Sequence, residues 1–182
     1  MRPFCAMLFA ATLSGCAAAP ATPPRTFDLG IEPPSAPLPA VRVAAVRAVA
    51  PFDGIEMHYR LAWRNPAELA AFAQNRWAAP PAELFRKQLL RANGAGTAKC
   101  ALEAELHEFS QVFAAPTTSE ARLELHASLG GAKGVVATRA WRIAEANAGA
   151  DAAGGAQALA RAVNRAVGEI AAWTAARPEC GG

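Results

Sequence analysis

The sequence predicts an α+β domain in which a largely antiparallel sheet, made of a hairpin and a three-stranded meander, carries helices mainly on one face. Apolar and polar residues alternate with a period of two over residues 100–107 and 121–129, which is typical of half-buried strands, and a third strand is predicted over residues 135–143 after the Gly130-Gly131 turn. Over residues 159–173 the apolar residues instead form one stripe at helical spacing. Strands and helices grouped in this way along a chain favour the α+β class.

The hairpin is predicted before the meander. Val41 to Val49 (VRVAAVRAV) is rich in β-branched residues and is followed by Asp53-Gly54, a dipeptide that suits a tight turn. Ile55 to Trp63 is then expected to return as the second strand.

Three helices are predicted from their ends. Asn65-Pro66 supplies a cap and a first-turn proline for a short helix over residues 67–74. Pro80-Pro81 opens a second helix, which Asn93-Gly94 ends. Asp151 is expected to cap the last helix, which should pack across the sheet.

The N-terminus carries the sequence Leu13-Ser14-Gly15-Cys16 directly after a short apolar run, which is typical of a bacterial lipobox. We therefore predict a lipoprotein signal peptide at residues 1–15 and acylation of Cys16, the first residue of the mature protein. Ala17 replaces the aspartate that commonly retains lipoproteins at the inner membrane, so the expected location is the periplasmic face of the outer membrane. The alternative is a plain secreted protein in which Cys16 is an incidental thiol.

Residues 16–40 hold seven of the fourteen prolines and are predicted to form an extended tether after the acylated cysteine. Within it, residues 26–29 contain no proline and could pair as a short edge strand. Residues 41–182 are then expected to form a single α+β domain. No later stretch reaches the 18 consecutive apolar residues of a transmembrane helix.

Composition excludes two classes of protein. With 53% hydrophobic and 18% charged residues the chain is not disordered, and a net charge of +3 is too small for a nucleic-acid-binding surface. Cys100 and Cys180 remain once Cys5 is cleaved off and Cys16 is acylated, and in an oxidising periplasm such a pair favours an intramolecular disulfide. Free thiols or an intermolecular bridge are the alternatives.

Catalytic and metal-binding patterns are weak. If the first two meander strands form a hairpin, His107 faces His126 with Glu105 and Glu124 on the same side, which allows a surface metal site or, with better support, a solvated cross-strand pair. No serine lies in a GxSxG motif, and no glycine-rich loop has nucleotide-binding spacing. We predict a protein that is not an enzyme and has no cofactor or metal.

Five sequence blocks follow the lipobox in a recognisable order. They are Phe27-Asp28-Leu29-Gly30, Ala50-Pro51-Phe52-Asp53-Gly54, Met57-His58-Tyr59-Arg60, Arg76-Trp77-Ala78-Ala79-Pro80-Pro81 and Glu108-Phe109-Ser110-Gln111-Val112-Phe113. In this the chain resembles the ABC-type transport auxiliary lipoprotein family, which includes the lipoprotein of the paraquat-inducible transport operon. Cys100 and Cys180 are not part of that pattern.

The resemblance implies an adaptor that works with an ABC permease, its ATPase and an MCE-domain protein in lipid traffic between the two membranes. It also allows identical copies of the adaptor to assemble into a ring. A lipoprotein that activates or scaffolds peptidoglycan synthesis is the alternative. Tyr59, Arg60, Arg76 and Trp77 are residue types that often dominate interfaces, so they are the candidates for docking a partner. The other interpretation is that Trp77 and Tyr59 are core residues with Arg76 lying over them.

Overall fold

The computed structural model describes residues 23–39, 41–147 and 149–180, so the predicted signal peptide and Cys16 lie outside the described part. It contains a mixed sheet and two helices. The strands are β1 (Arg25–Phe27), β2 (Arg42–Ala48), β3 (Glu56–Leu61), β4 (Ala70–Trp77), β5 (Ala101–Ala115), β6 (Thr118–Gly131) and β7 (Gly134–Ala146). The helices are α1 (Pro81–Ala92) and α2 (Ala152–Ala175). Within these residues, neither helix is long and apolar enough to cross a bilayer.

The sheet has the order β1-β4-β3-β5-β6-β7, and β2 also pairs with β5. The predicted meander is confirmed, because β5, β6 and β7 pair antiparallel with one another. The β1–β4, β2–β5 and β3–β5 pairs are parallel, so the sheet is mixed and the predicted largely antiparallel arrangement holds only for part of it.

The predicted hairpin of residues 41–49 with 55–63 is wrong. β2 and β3 both run parallel to β5, with Arg42 opposite Ala101 and His58 opposite Ser110, so they lie end to end along one edge of that long strand. The chain does turn at residues 50–53, where the Phe52 N–H donates to the Val49 carbonyl at 2.9 Å and the Phe52 side chain is buried. Pairing of both strands with the remote β5 outweighs the local preference for a hairpin.

The predicted helix over residues 67–74 is also wrong. Asn65 Oδ1 accepts a hydrogen bond from the backbone N–H of Ala67 at 3.1 Å, as a capping residue would. The chain nevertheless enters β4, which pairs antiparallel with β3 and parallel with β1. Alanine is the strongest helix former, but intrinsic propensity is a weak determinant that tertiary context overrides, and here two neighbouring strands satisfy the backbone of this stretch.

Both helices pack on the same face of the sheet and contact each other, α1 against β2 and β5 and α2 against β5, β6 and β7. The predicted cap of α2 is confirmed, since Asp151 Oδ1 accepts from the backbone N–H of Gly154 at 2.7 Å. The largest fully buried apolar side chains are Trp77, Phe85, Phe109, Leu38, Leu89, Leu102, Leu106, Leu123, Leu125, Leu129 and Ile170. We call the opposite side of the sheet the open face.

A disulfide joins Cys100, just before β5, to Cys180, after α2. The predicted intramolecular bridge is therefore present. It ties the C-terminal end of the chain to the strand at the centre of the sheet, and both cysteines are 3% exposed.

Residues 23–39, which the sequence analysis placed in the tether, pack on the domain. β1 is the expected short strand at the sheet edge. Leu29 and Leu38 are 6% and 1% exposed. The backbone N–H of Leu38 donates to the carbonyl of Ala92 at 2.7 Å, and that of Gly94 donates to the carbonyl of Leu38 at 2.8 Å. This segment therefore belongs to the folded unit.

Candidate functional site

The five sequence blocks, which span residues 27–113, converge in the structure. Phe27 is in register with Trp77, and the Phe27 carbonyl accepts from Ala78 N–H at 2.7 Å. Trp77 packs against Phe109, with ring centroids 5.4 Å apart. The ring of Phe52 meets His58 edge-on at 5.5 Å. Segments of all five blocks thus form one region around the second half of β5.

Trp77 lies at the centre of this region and is 1% exposed. A side chain with so little accessible surface offers a partner almost nothing to contact, so of the two interpretations given for Trp77 the structure agrees with core packing. Arg76, the preceding residue, is exposed on β4 and faces Glu56 of β3 in the strand register.

Tyr59 and Arg60 are half-buried on β3. The Tyr59 ring packs between Phe72 and Phe113, with centroid distances of 4.6 and 6.1 Å. Arg60 Nη2 donates to Glu108 Oε2 at 3.1 Å, and each side chain of this ion pair is 23% exposed. Because Glu108 follows a bulge in β5, its carboxylate lies on the open face beside Arg60.

A groove of about 430 Å³ on the open face contains this ion pair. We call it the arginine groove, and its charged lining is Arg60, Glu108, Arg122, Glu124 and Arg142. Arg142 donates from Nε and Nη2 to the two carboxylate oxygens of Glu124, each at 3.1 Å. These hydrogen bonds lower the pKa of the Glu124 carboxyl.

Arg122 and Arg142 are additions to the residues selected from the sequence, and Glu124, selected there only for its place beside the histidines, belongs to the groove as well. The signal that could have found them is the period-two pattern, which assigns alternate residues of the second and third meander strands to the polar face. The pattern does not give the position of β3. That strand pairs with β5 and brings Arg60 to the same groove.

The predicted proximity of His107 and His126 is confirmed, but their register is different. The bulge between Leu106 and Glu108 leaves Glu105 directly opposite His126. The two imidazole rings stack with centroids 4.1 Å apart, and His107 Nε2 lies 3.0 Å from Glu105 Oε2. In the described ranges no cluster of three or more histidine, cysteine or acidic side chains could hold a metal ion.

His58 should make the stability of the folded protein depend on pH. Burial is the main cause that lowers its pKa from the ordinary value of 6.5, outweighing the raising effect of Glu56 and Glu108. The unfolded chain therefore binds more protons at this residue than the folded one, so stability is lost as the pH falls below about 6.5. We expect the urea midpoint to fall between neutral pH and pH ~5.5, and the fall to be smaller in His58→Gln. If the urea midpoint of His58→Gln fell with pH as much as that of the wild type, the pH dependence would not be due to His58. Glu124, whose pKa is lowered, contributes only at more acidic pH.

The fold is shared with proteins of solved structure. A crystal structure of a Xanthomonas campestris protein of the DUF330 family is similar over 86% of this chain and 88% of that one, with 23% identity and a TM-score of 0.62. The crystal structure of an uncharacterized protein is similar over 84% of this chain and 99% of that one, with 13% identity and a TM-score of 0.67. No family model and no curated protein matches the sequence. At these identities the likeness shows the fold.

Proposed function

We propose that this chain is a non-catalytic adaptor of an MCE-type ABC system that moves lipids between the inner and outer membranes, anchored through Cys16 at the periplasmic face of the outer membrane. The observation that carries the proposal is the convergence of the five sequence blocks that resemble the auxiliary lipoprotein family. Blocks separated by tens of residues pack on one another through Phe27, Trp77 and Phe109.

The surface of this region supports a proposal for where a partner docks. Trp77 and Phe109 are core residues, so they hold the shape of the region. Arg60 and Glu108 belong to two of the blocks and keep part of their surface accessible in the arginine groove. Arginine in a partly desolvated groove is a frequent source of binding energy, since its planar guanidinium makes several directed hydrogen bonds. We assign the arginine groove as the docking site for the MCE-domain partner.

Affinity purification of the tagged, acylated protein should recover an MCE-domain protein together with the permease and the ATPase. The double variant Arg60→Gln/Glu108→Gln removes both charges of the groove pair without changing the net charge. We expect its recovery of the partner to fall by about tenfold, as for a docking residue at the centre of an interface.

The matched control is Arg47→Gln/Glu103→Gln, which removes another ion pair of the open face that lies outside the arginine groove. Its recovery should stay within about twofold of the wild type. Recovery of a cell-wall synthase alone, with stimulated turnover, would replace the proposal with the peptidoglycan alternative.

The lipid anchor is tested by Cys16→Ala, which should accumulate unprocessed precursor in the same cells because the cysteine can no longer be acylated. Normal processing of this variant would contradict the lipobox.

A further inference from the structure

The packing of residues 23–39 limits how far the domain can lie from the membrane. Only residues 17–22 separate Cys16 from Pro23, the first described residue. A fully extended chain spans at most about 3.6 Å per residue, so this connection reaches no further than about 25 Å. A domain of this size is about 40 Å across. The side of the domain next to β1 is therefore held near the bilayer if Cys16 is acylated.

That side includes the exposed surface of α1. Its exposed residues in the middle and last turns are Arg86, Lys87, Leu90 and Arg91, which we call the basic α1 surface. Arg91 Nη1 donates to the carbonyl of Gly30 at 3.0 Å, which fixes this surface beside the segment that follows β1. Ile31, the next residue, is 80% exposed, and Leu90 is 45% exposed. Two aliphatic side chains thus stand in water among three cations.

Four arginines of the open face differ from the cations of this surface in how they are neutralised. On the open face Arg47, Arg60, Arg122 and Arg142 each form an ion pair with a glutamate. Throughout residues 23–39, 41–147 and 149–180, the three cations of the basic α1 surface form none.

Three acidic residues lie in the same part of the chain. Glu83 is in the first turn of α1, and Asp28 and Glu32 flank Gly30. Asp28 Oδ1 already accepts a hydrogen bond from Gly30 N–H at 2.8 Å. The last two turns of the helix remain positively charged. A helix with a basic face and exposed aliphatic side chains is typical of binding to a membrane surface.

We propose that the basic α1 surface docks on the surface of an anionic phospholipid bilayer, with Leu90 and Ile31 entering the headgroup region. The orientation rests on the proposed acylation of Cys16, whereas the binding itself rests on the charges and exposure of α1. The two helices then lie on the membrane side of the sheet. The open face, with the arginine groove, is presented to the periplasm.

The test uses the full mature chain, residues 16–182, with Cys16→Ala so that no acyl chain contributes. In sedimentation with vesicles it should bind phosphatidylethanolamine–phosphatidylglycerol at low salt, bind phosphatidylcholine weakly, and lose binding at high salt. Each cation near an anionic surface contributes about fivefold in affinity, so Arg86→Gln/Lys87→Gln/Arg91→Gln should weaken binding by about a hundredfold.

The control is Arg47→Gln/Arg64→Gln/Lys133→Gln, which removes the same number of charges from exposed positions outside α1 and outside the arginine groove. Its binding should stay within about threefold of the wild type. Equal losses in both triple variants would overturn the proposal, because net charge and no particular surface would then be responsible. Equal binding to neutral and anionic vesicles, or none to either, would also overturn it.

A second measurement uses the acylated protein and does not depend on substitutions. On anionic vesicles, amine-reactive labelling of Lys87 should drop about tenfold relative to neutral vesicles, while Lys133 in the β6–β7 turn stays reactive. Equal labelling of Lys87 on both vesicles contradicts the docking even if the protein proves to be an adaptor. Failure to recover an MCE-domain partner leaves this result unaffected, so the two proposals fail separately.

Discussion

Replacing Cys100 and Cys180 with serine should lower the free energy of unfolding by about 4 kcal/mol. The two residues are separated by 80 positions, and the segment between them contains β5, β6, β7 and α2. In the chain-entropy account, a loop of this length removes about 4.5 kcal/mol of freedom from the unfolded chain. Since domains of this size are stable by about 5–15 kcal/mol, the loss is a large fraction of the total.

Denaturant unfolding checks this expectation, with the double serine variant compared with the wild type in the presence and absence of reductant. The midpoint should fall in the variant and in the reduced wild type by the same amount, and reductant should leave the variant unchanged. Labelling of free thiols at both positions in the untreated wild-type protein would contradict the prediction. The expected physical effect is confined to the unfolded state, so docking by folded protein should persist at low temperature.

Trp77→Ala has the second largest expected effect, a loss of about 3–5 kcal/mol in the free energy of unfolding. The indole is 1% exposed and packs on Phe109, so the smaller side chain leaves a cavity beside the Phe109 ring. Trp77→Phe should cost less, because it refills part of that volume and the buried indole N–H makes no hydrogen bond within the described residues.

Arg76→Ala is the matched control, since Arg76 is the exposed neighbour of Trp77 on the same strand. Its stability should change by no more than about 0.5 kcal/mol. Thermal and urea unfolding of the three variants give the comparison. A stable Trp77→Ala protein that loses only its partner would reverse the assignment of Trp77 to the core.

The buried position of Trp77 and the packing of residues 23–39 on the domain change the arrangement expected from the sequence. Residues 23–39 were expected to form a tether, but they pack on the domain and Leu38 among them is buried. Trp77 was a candidate for docking a partner and is instead a core residue. The accessible part of the same region is the Arg60–Glu108 pair, on the side of the sheet opposite to the helices. In the arrangement that we propose, one layer of the domain faces the membrane and the other faces the transport partner.

Four features followed from the sequence because their signals are local. Alternation places the meander strands, and helical spacing with Asp151 places α2. Pro80-Pro81 marks the beginning of α1, whose first residue is Pro81. The disulfide between Cys100 and Cys180 was predicted by counting the cysteines that remain when Cys5 and Cys16 are set aside.

The tertiary structure decided which strands are neighbours. Residues 70–77 form a strand because β1 and β3 satisfy their backbone, and β2 and β3 lie end to end because β5 is long enough to pair with both. The bulge after Leu106 turns Glu108 toward Arg60, and so the arginine groove forms. Periodicity and caps act over one or two turns of chain, whereas strand pairing depends on burying residues that are distant in the sequence. The chain by itself therefore determined the meander strands and the two helices and favoured the disulfide, whereas only the folded sheet determined β4, the strand neighbours and the site.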